Sequence, residues 1–468
     1  MKCVLGIDLG STTTKAVLLD EAGAVVGQGI TNSRSNYEVA CAVAREEALT
    51  AARLSLLGRA LNTLEDGRRE LVLPVKGRLP EAFRLELYLD QLDDLREELD
   101  RSVAQVPSEP LRSSLGDATR EILDDMAAGA PALFGEGCAR RSDFFRDLAA
   151  AAFMAGAERA CASGRLPFER LAGSFDRAIL NVETRMTPRP FESVLRRAVQ
   201  SAASGTPEAM EAIVTAARDT SIEEAACVGT GYGRQTLPFP KEAVRSEILC
   251  HGRGAHALFP RTRTVLDIGG QDTKAIQTDE SGVVTSFQMN DRCAAGCGRY
   301  LGYIADELGL GLHELGPLAL RAHRVIRVNS TCTVFAGAEL RERLALGQRR
   351  EDILAGLHRA MMLRAMSLLA RSGGVRDEFT FTGGVCRNEM ATSVLHDLVE
   401  EHYGRDVTVN IHPESIYMGA RGAALFALDD LRAGRGRVPP RFAEQAPPEP
   451  DPPCGRSEPA TRLDAQQP

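Results

Sequence analysis

The sequence predicts an α/β fold of two lobes with a long helical block set into it, and three observations carry that expectation. A strand, an aspartate, a turn of glycine and hydroxyl residues and a second strand occur around Asp8. The same order returns around Asp267. From Tyr37 to Arg185 no such strand pattern is seen, and Ala, Leu and Glu recur at helical spacing instead.

At 468 residues, with 44% hydrophobic and 26% charged residues, the chain has room for more than one ordinary core. A formal charge of −8 and a pI near 5.7 argue against nucleic acid as a partner, because phosphate-backbone binding rests on clustered Lys and Arg. No apolar run approaches the roughly 18 residues a membrane-spanning helix needs. Met1 to Leu9 is too short for a signal peptide and carries Asp8 inside it. A cytoplasmic protein without a membrane partner is expected. In that compartment eleven cysteines read as a mixture of buried apolar residues and ligands rather than a disulfide framework.

Taken in order, Cys3–Leu9 is an apolar strand ending in Asp8, Gly10-Ser11-Thr12-Thr13 is a turn, and Thr14–Asp20 and Ala24–Gln28 are further strands. Amides and hydroxyls of such a turn can hold phosphates, while Asp8 can hold Mg²⁺ through water. Taken alone, the segment is equally readable as a β-hairpin with a polar turn. The second copy, Asp267-Ile268-Gly269-Gly270-Gln271-Asp272-Thr273-Lys274, makes it half of a two-sided clamp. There is no Walker A pattern, and Gly229-Thr230-Gly231-Tyr232-Gly233 is too loose for a dinucleotide fingerprint.

In the helical block, Leu85, Tyr88, Leu92, Leu95 and Leu99 form a stripe that packs either inside the block or on a partner helix. Phe191–Ala217 is again helical, and Ala225–Gly229 is a strand. Cys293 stands near the start of a helix containing Leu301, Ile304 and Leu308, with Cys297 one turn into it. Arg324–Asn329 is expected as a strand, and Cys332 opens a helix running to about Leu346. A helix N-terminus favours thiolate over thiol, which suits a metal-ligating cysteine. Phe379–Val385 is a strand ending in Gly383-Gly384, where close backbone approach would let an adenine or ribose lie against the chain. Val407–Ile411 is a strand, and Tyr417–Leu428 a closing helix. The Pro-rich end from Val438 is expected to be disordered. The expected organisation is therefore a first lobe (1–36 and 186–258), a helical insertion (37–185), a second lobe carrying the cysteines (259–430) and a tail (431–468).

Five segments are specific enough to suggest a family: Gly6-Ile7-Asp8-Leu9-Gly10-Ser11-Thr12, Asp267 to Asp272, Asn290-Asp291-Arg292-Cys293-Ala294-Ala295-Gly296, Ser330-Thr331-Cys332-Thr333-Val334-Phe335 and Thr382-Gly383-Gly384-Val385. Together, over about residues 1–35 and 200–430, the chain resembles the BadF/BadG/BcrA/BcrD-type ATPases. These are the activators of 2-hydroxyacyl-CoA dehydratases and the ATP-binding subunits of benzoyl-CoA reductase. The resemblance implies the two-lobed actin, sugar kinase and heat-shock ATPase fold, of ribonuclease H-like type. It implies Asp8, Asp267 and Gln271 as catalytic residues. It implies Gly10, Ser11, Thr12, Thr13, Lys15, Gly269, Gly270, Asp272, Gly383 and Gly384 as binders of ATP and Mg²⁺.

It further implies a [4Fe-4S] cluster shared between two homologous ATPase subunits, in a homodimer or heterodimer, through Cys293 and Cys332 of each. Glu247 and His251 also match the family pattern, without an evident chemical role. The expected function is an ATP-hydrolysing subunit passing low-potential electrons from a ferredoxin to a benzoyl-CoA reductase component. Activation of a 2-hydroxyacyl-CoA dehydratase is the alternative, and a carbohydrate or acyl kinase of the same fold is a third reading. The long insertion and Cys297 depart from the compact activators, the first in the direction of the reductase ATPases.

Overall fold

The computed structural model describes residues 1–436 apart from 34–35, 136–137, 139–143, 163–165, 186, 188, 203–205, 219, 232–238, 292–295, 329–332 and 377. Cys293, Cys332 and the Pro-rich tail lie outside the described residues.

Two sheets share one plan. Strands β1 (Lys2–Leu9), β2 (Thr13–Asp20) and β3 (Val25–Asn32) form an antiparallel meander, and β4 (Glu223–Gly231) joins β1 in parallel, giving the order β3-β2-β1-β4. In the second sheet β5 (Thr262–Ile268), β6 (Thr273–Thr278) and β7 (Val284–Asn290) repeat the meander. Strands β8 (Glu378–Thr382) and β9 (Val409–Asn410) add in parallel, giving β7-β6-β5-β8-β9. The register is equivalent in both sheets: Asp8 pairs with Lys15 across the first hairpin, and Asp267 with Lys274 across the second.

Both faces of the first sheet are covered, so β1 is apolar along its length. Cys3, Leu5, Ile7 and Leu9 pack with Ala40, Cys41, Ala44 and Ala48 of helix α1 (Tyr37–Asn62). Gly27 and Gly29 let that helix sit close, since a Cβ on either would stand 2.2 Å from a backbone oxygen of α1.

A long series of helices follows: α2 (Asp66–Lys76), α3 (Leu79–Ala104), α4 (Glu109–Leu133), α5 (Phe145–Cys161), α6 (Phe168–Thr184), α7 (Phe191–Ser201) and α8 (Pro207–Arg218). Tyr88, Leu92, Leu95 and Leu99 of α3 are buried against α4, α5 and α6, with Leu85 half-buried beside them. The stripe is therefore consumed inside the block and is not offered to a partner. Phe191–Ala217 resolves into α7 and α8, and these share a second core with α1, α2 and α3. The helical packing thus continues past Arg185 to Arg218.

Helix α9 (Glu247–Leu258) leads into the second sheet. After it come α10 (Gly298–Leu308), α11 (Leu312–Ala319), α12 (Thr333–Ala345), α13 (Arg350–Ser372), α14 (Glu389–Tyr403) and α15 (Met418–Arg432). Helices α10–α14 and one face of the second sheet build the largest core, around Phe379, Phe381, Leu354 and Met361. By length and composition α13 could cross a membrane, yet it lies mostly buried in this core. Helix α15 returns to the other face of the first sheet, packing Ala420, Ala423, Ala424 and Ala427 on Val4, Val17 and Leu19. Gly6 makes that approach possible, because a Cβ there would stand 2.1 Å from the Ala420 carbonyl oxygen.

Three local expectations are corrected. Residues 324–328 are irregular rather than a strand, because the backbone N–H groups of His323 and Arg324 are taken by the Asp352 carboxylate and that of Ile326 by the Asp352 carbonyl. The last strand shrinks from Val407–Ile411 to Val409–Asn410. Cys297, expected one turn into a helix, is instead extended and fully buried as the N-cap of α10, which starts at Gly298; the expected helix start at Cys293 lies outside the described residues.

Candidate active site

The Asp8 and Asp267 turns face each other across a cavity of about 1820 Å³ that lies between the two sheets. A Cβ on Gly270 would stand 1.9 Å from Thr12 Oγ1 and 3.4 Å from Ser11 Oγ, so the turns nearly touch at one end. Asp8, Gly10, Ser11, Thr12, Thr13 and Lys15 line one wall; Asp267, Gly269, Gly270 and Asp272 line the opposite one, joined there by Gly383 and Gly384, which follow β8 next to β5. The glycines serve different ends. Gly383 has φ +87° and its Cβ would meet the Ile268 carbonyl oxygen at 2.3 Å, whereas nothing lies within 4 Å of a Cβ on Gly384. The first turn is braced from behind by Ser33, whose hydroxyl donates to the Gly10 carbonyl at 2.5 Å and lies 2.9 Å from Thr14 Oγ1.

Gln271 is not among the lining residues. Its amide oxygen, oriented toward the guanidinium, accepts from Arg299 Nη2 at 2.7 Å and Nη1 at 3.1 Å. That contact belongs to a larger join. Gly298 N–H donates to the Gly269 carbonyl at 2.8 Å, Arg299 N–H to the Gly270 carbonyl at 2.7 Å, and Thr273 Oγ1 to the Gly296 carbonyl at 2.5 Å. The second aspartate turn is thus hydrogen-bonded directly to the start of α10, at the end of the segment that contains Cys293 and Cys297.

Behind the turns lies a buried charge cluster to which the sequence assigned no chemical role. Lys274, 1% exposed, places Nζ 2.8 Å from Asp272 Oδ1, 3.0 Å from Glu247 Oε1 and 3.3 Å from Asp267 Oδ2. Burial alone would lower its pKa, but Asp267, Glu247 and Asp272 hold it well above the ordinary lysine value. Burial raises Glu247, and Lys274 only partly offsets that rise. Asp267 goes the other way: burial would raise it, but His251, Lys274 and the Thr382 hydroxyl, donating at 2.9 Å, hold it far below the carboxylate range.

His251 stands between the two aspartates. Its Nδ1 lies 3.1 Å from Asp267 Oδ1, off the line of a good hydrogen bond, and its Nε2 lies 3.7 Å from Asp8 Oδ2 and 3.9 Å from Glu247 Oε1. Burial pulls its pKa down, but the carboxylates carry it up to about 9. Asp8 Oδ1 is buried with no hydrogen-bond partner. Ligand atoms of Asp8, Glu247 and His251 all lie within 4.8 Å of one another, and Asp8 Oδ1 is an oxygen able to accept a hydrated divalent cation.

Two signals in the sequence point to these side chains. Asp-x-Gly-x-x-x-Thr-Lys occurs twice, as Asp8…Lys15 and Asp267…Lys274, and Glu247 and His251 have the i, i+4 spacing of one helix face. The equivalent lysines have different surroundings. Among the described residues Lys15 Nζ donates only to the Thr13 carbonyl, at 3.2 Å, and it lines the cavity, whereas Lys274 is neutralised by three carboxylates.

Comparison with known proteins agrees with this plan. The (R)-2-hydroxyglutaryl-CoA dehydratase activating ATPase of Acidaminococcus fermentans is 38% identical over 230 residues, covering 49% of this chain and 85% of the relative. One of the benzoyl-CoA reductase subunits of Thauera aromatica is 38% identical over 177 residues, covering 38% of this chain and 62% of the relative. The crystal structure of the Acidaminococcus fermentans (R)-2-hydroxyglutaryl-CoA dehydratase component A superposes with a TM-score of 0.51 at 22% identity, covering 92% of this chain and 100% of that one. The fold is accordingly the α/β arrangement of that component A. With a family model matching residues 5–427, the chain belongs to the BadF/BadG/BcrA/BcrD ATPase family.

Proposed function

We propose that this protein is an ATP-hydrolysing activator that passes low-potential electrons to a 2-hydroxyacyl-CoA dehydratase. The carrying observation is the hydrogen-bonded join between the Gly269-Gly270 turn and the start of α10, because it ties the nucleotide wall to the cysteine segment. A change at the turn then moves that helix start with it. The expectation that put an aromatic acyl-CoA reductase first is reordered. At equal identity the match extends over 85% of a dehydratase activator but 62% of the reductase relative.

In this reading Gly10, Ser11, Thr12, Thr13, Lys15, Gly269, Gly270 and Asp272 receive the phosphates and the metal side, and the Gly383-Gly384 backbone, open at Gly384, receives the nucleoside. Asp8 fits the Mg²⁺ role through its unpartnered buried oxygen. Lys15 supplies a cation not already neutralised. Asp267 is saturated by Lys274, His251 and Thr382, which suits it to fix geometry rather than to accept a proton. Gln271, turned to Arg299, acts on the helix join rather than on the phosphates.

A [4Fe-4S] cluster would supply one-electron transfer at low potential, held by Cys293 and Cys332 of two homologous subunits, with a ferredoxin as donor. Both residues precede helices, α10 and α12, whose N-termini favour thiolate. Cys297 is fully buried with its thiol raised by desolvation, which suits a structural role. Anoxic purification and iron analysis test this. Four irons per dimer are expected in the natural protein and in Cys297→Ser, with loss of iron in Cys293→Ser and in Cys332→Ser. An iron-free, colourless protein after anoxic reconstitution would favour the kinase reading.

A further inference from the structure

His251 is the one side chain among the described residues for which ion contacts reach both turn aspartates, Asp8 from the first sheet and Asp267 from the second. Its helix is wedged at the junction of the two sheets. A Cβ on Gly254 of α9 would stand 2.0 Å from the Met418 carbonyl oxygen, and one on Gly422 of α15 would stand 1.9 Å from the Cys250 carbonyl oxygen. On another side a Cβ on Gly252 would stand 2.7 Å from a methyl of Val284 in β7. Helix α9 therefore touches α15, which lies on the first sheet, and a strand of the second. Gly419 closes the space around the ring: a Cβ there would stand 2.5 Å from Asp8 Oδ2 and 2.7 Å from His251 Nε2. Any larger residue would have to displace the imidazole or the carboxylate.

A buried histidine is often only a core residue, and His358 is such a case. Its Nδ1 lies 2.8 Å from the Leu354 carbonyl within its own helix, its Nε2 is buried without a partner among the described residues, and no carboxylate contact accompanies it. His251 differs in lining the cavity and in meeting a carboxylate with each ring nitrogen.

We propose that His251 is an interlobe strut, a positioning residue that sets the separation of the Asp8 and Asp267 carboxylates and so the spacing at which the two turns close on a triphosphate. This rests on the nucleotide reading of the cavity. The strut contributes no contact of its own to the phosphates. Its loss leaves each turn able to bind while the two turns no longer reach the reacting geometry together. A misplacement of about 1 Å costs on the order of 10²-fold in rate.

The test uses the full chain with His251→Ala and His251→Gln, the second retaining a donor and an acceptor. Nucleotide affinity is read with fluorescent ATP and ADP, turnover by phosphate release, and closure by hydrogen exchange at 8–15 and 267–274 with a non-hydrolysable ATP analogue. We expect His251→Ala to bind ATP within about 5-fold of the natural protein, to lose about 100-fold in kcat, and to lose the analogue-induced protection at both turns. His251→Gln should recover part of both losses. Natural kcat in His251→Ala overturns the strut, as does a folded His251→Ala that no longer binds ATP, since the residue would then be a binding group. If His251→Ala fails to fold, His251→Gln decides alone: reduced kcat with retained affinity supports the strut, and unchanged kcat with unchanged protection overturns it. Failure of the natural protein to bind MgATP would remove the nucleotide reading itself, and the strut with it.

Discussion

Replacing Lys274 by methionine is the sharpest perturbation of the buried cluster, because it removes the charge while keeping much of the side-chain volume. The ammonium has three carboxylate oxygens within 2.8–3.3 Å and is 1% exposed. At an effective dielectric near 20, one such contact at about 3 Å is worth roughly 5 kcal/mol before desolvation. Measured costs of breaking a buried ion pair run about 3–5 kcal/mol, since the partner is left buried and uncompensated. Here three partners remain, which places the expectation at the upper end, relieved only by protonation of Glu247, already raised by burial.

With a second-lobe unit of ordinary domain size, 3–5 kcal/mol corresponds to a Tm lowered by about 6–20 °C. The sign of the pH dependence follows from the same carboxylates. Without Lys274 the folded state holds a proton that the unfolded state releases, so the deficit grows as pH rises through the carboxylate range and is smaller at pH 5 than at pH 8. Scanning calorimetry at the two pH values checks both statements. A Tm within about 3 °C of the natural protein at pH 8, or a deficit independent of pH, would show that the cluster is solvated rather than dry and would refute the reasoning.

Two histidines predict the pH profile of the natural protein. His251, at about 9, contributes stability that is fully present below the ordinary value of 6.5 and is lost as pH rises through 9; His358, at about 4, contributes stability present above 6.5 and lost as pH falls toward 4. Each gap is worth about 3 kcal/mol, so urea midpoints should peak near neutrality and fall on both sides, and a monotonic profile between pH 5 and 9 would contradict the assignments. The helical block supplies a contrast in truncation. Removing 37–185 takes away α1 and uncovers Leu5, Ile7 and Leu9, so nucleotide binding should be lost with the first sheet. Removing only 96–184, whose flanks are held together by the Arg189–Asp94 ion pair, takes Leu148, Ala151 and Leu180 from the cavity lining but leaves both aspartate turns, so it should weaken nucleotide binding without abolishing it, as a fluorescent-nucleotide titration would report.

Local chemistry determined a great deal of this protein before any contact was known. The two Asp-Gly turns, the apolar strands leading into them and the three-four spacing of Leu92, Leu95 and Leu99 were legible because each depends on residues within about ten positions. Backbone geometry and side-chain periodicity act at that range. The family resemblance was legible for the same reason, as each of its motifs is a short segment.

Where a helix begins was less legible. Cys297 carries the same helical signal as the residues after it, yet α10 starts at Gly298, where Gly298 and Arg299 find partners in the Gly269 and Gly270 carbonyls. The strand-like run at 324–328 failed likewise, because a single carboxylate, Asp352, took its amides. Only the tertiary structure brought together Asp8, Glu247, His251, Asp267 and Lys274. Burial turns such a group from solvated surface charges into a coupled cluster, and burial is decided by packing between elements that lie up to 266 positions apart in the sequence, as Asp8 and Lys274 do.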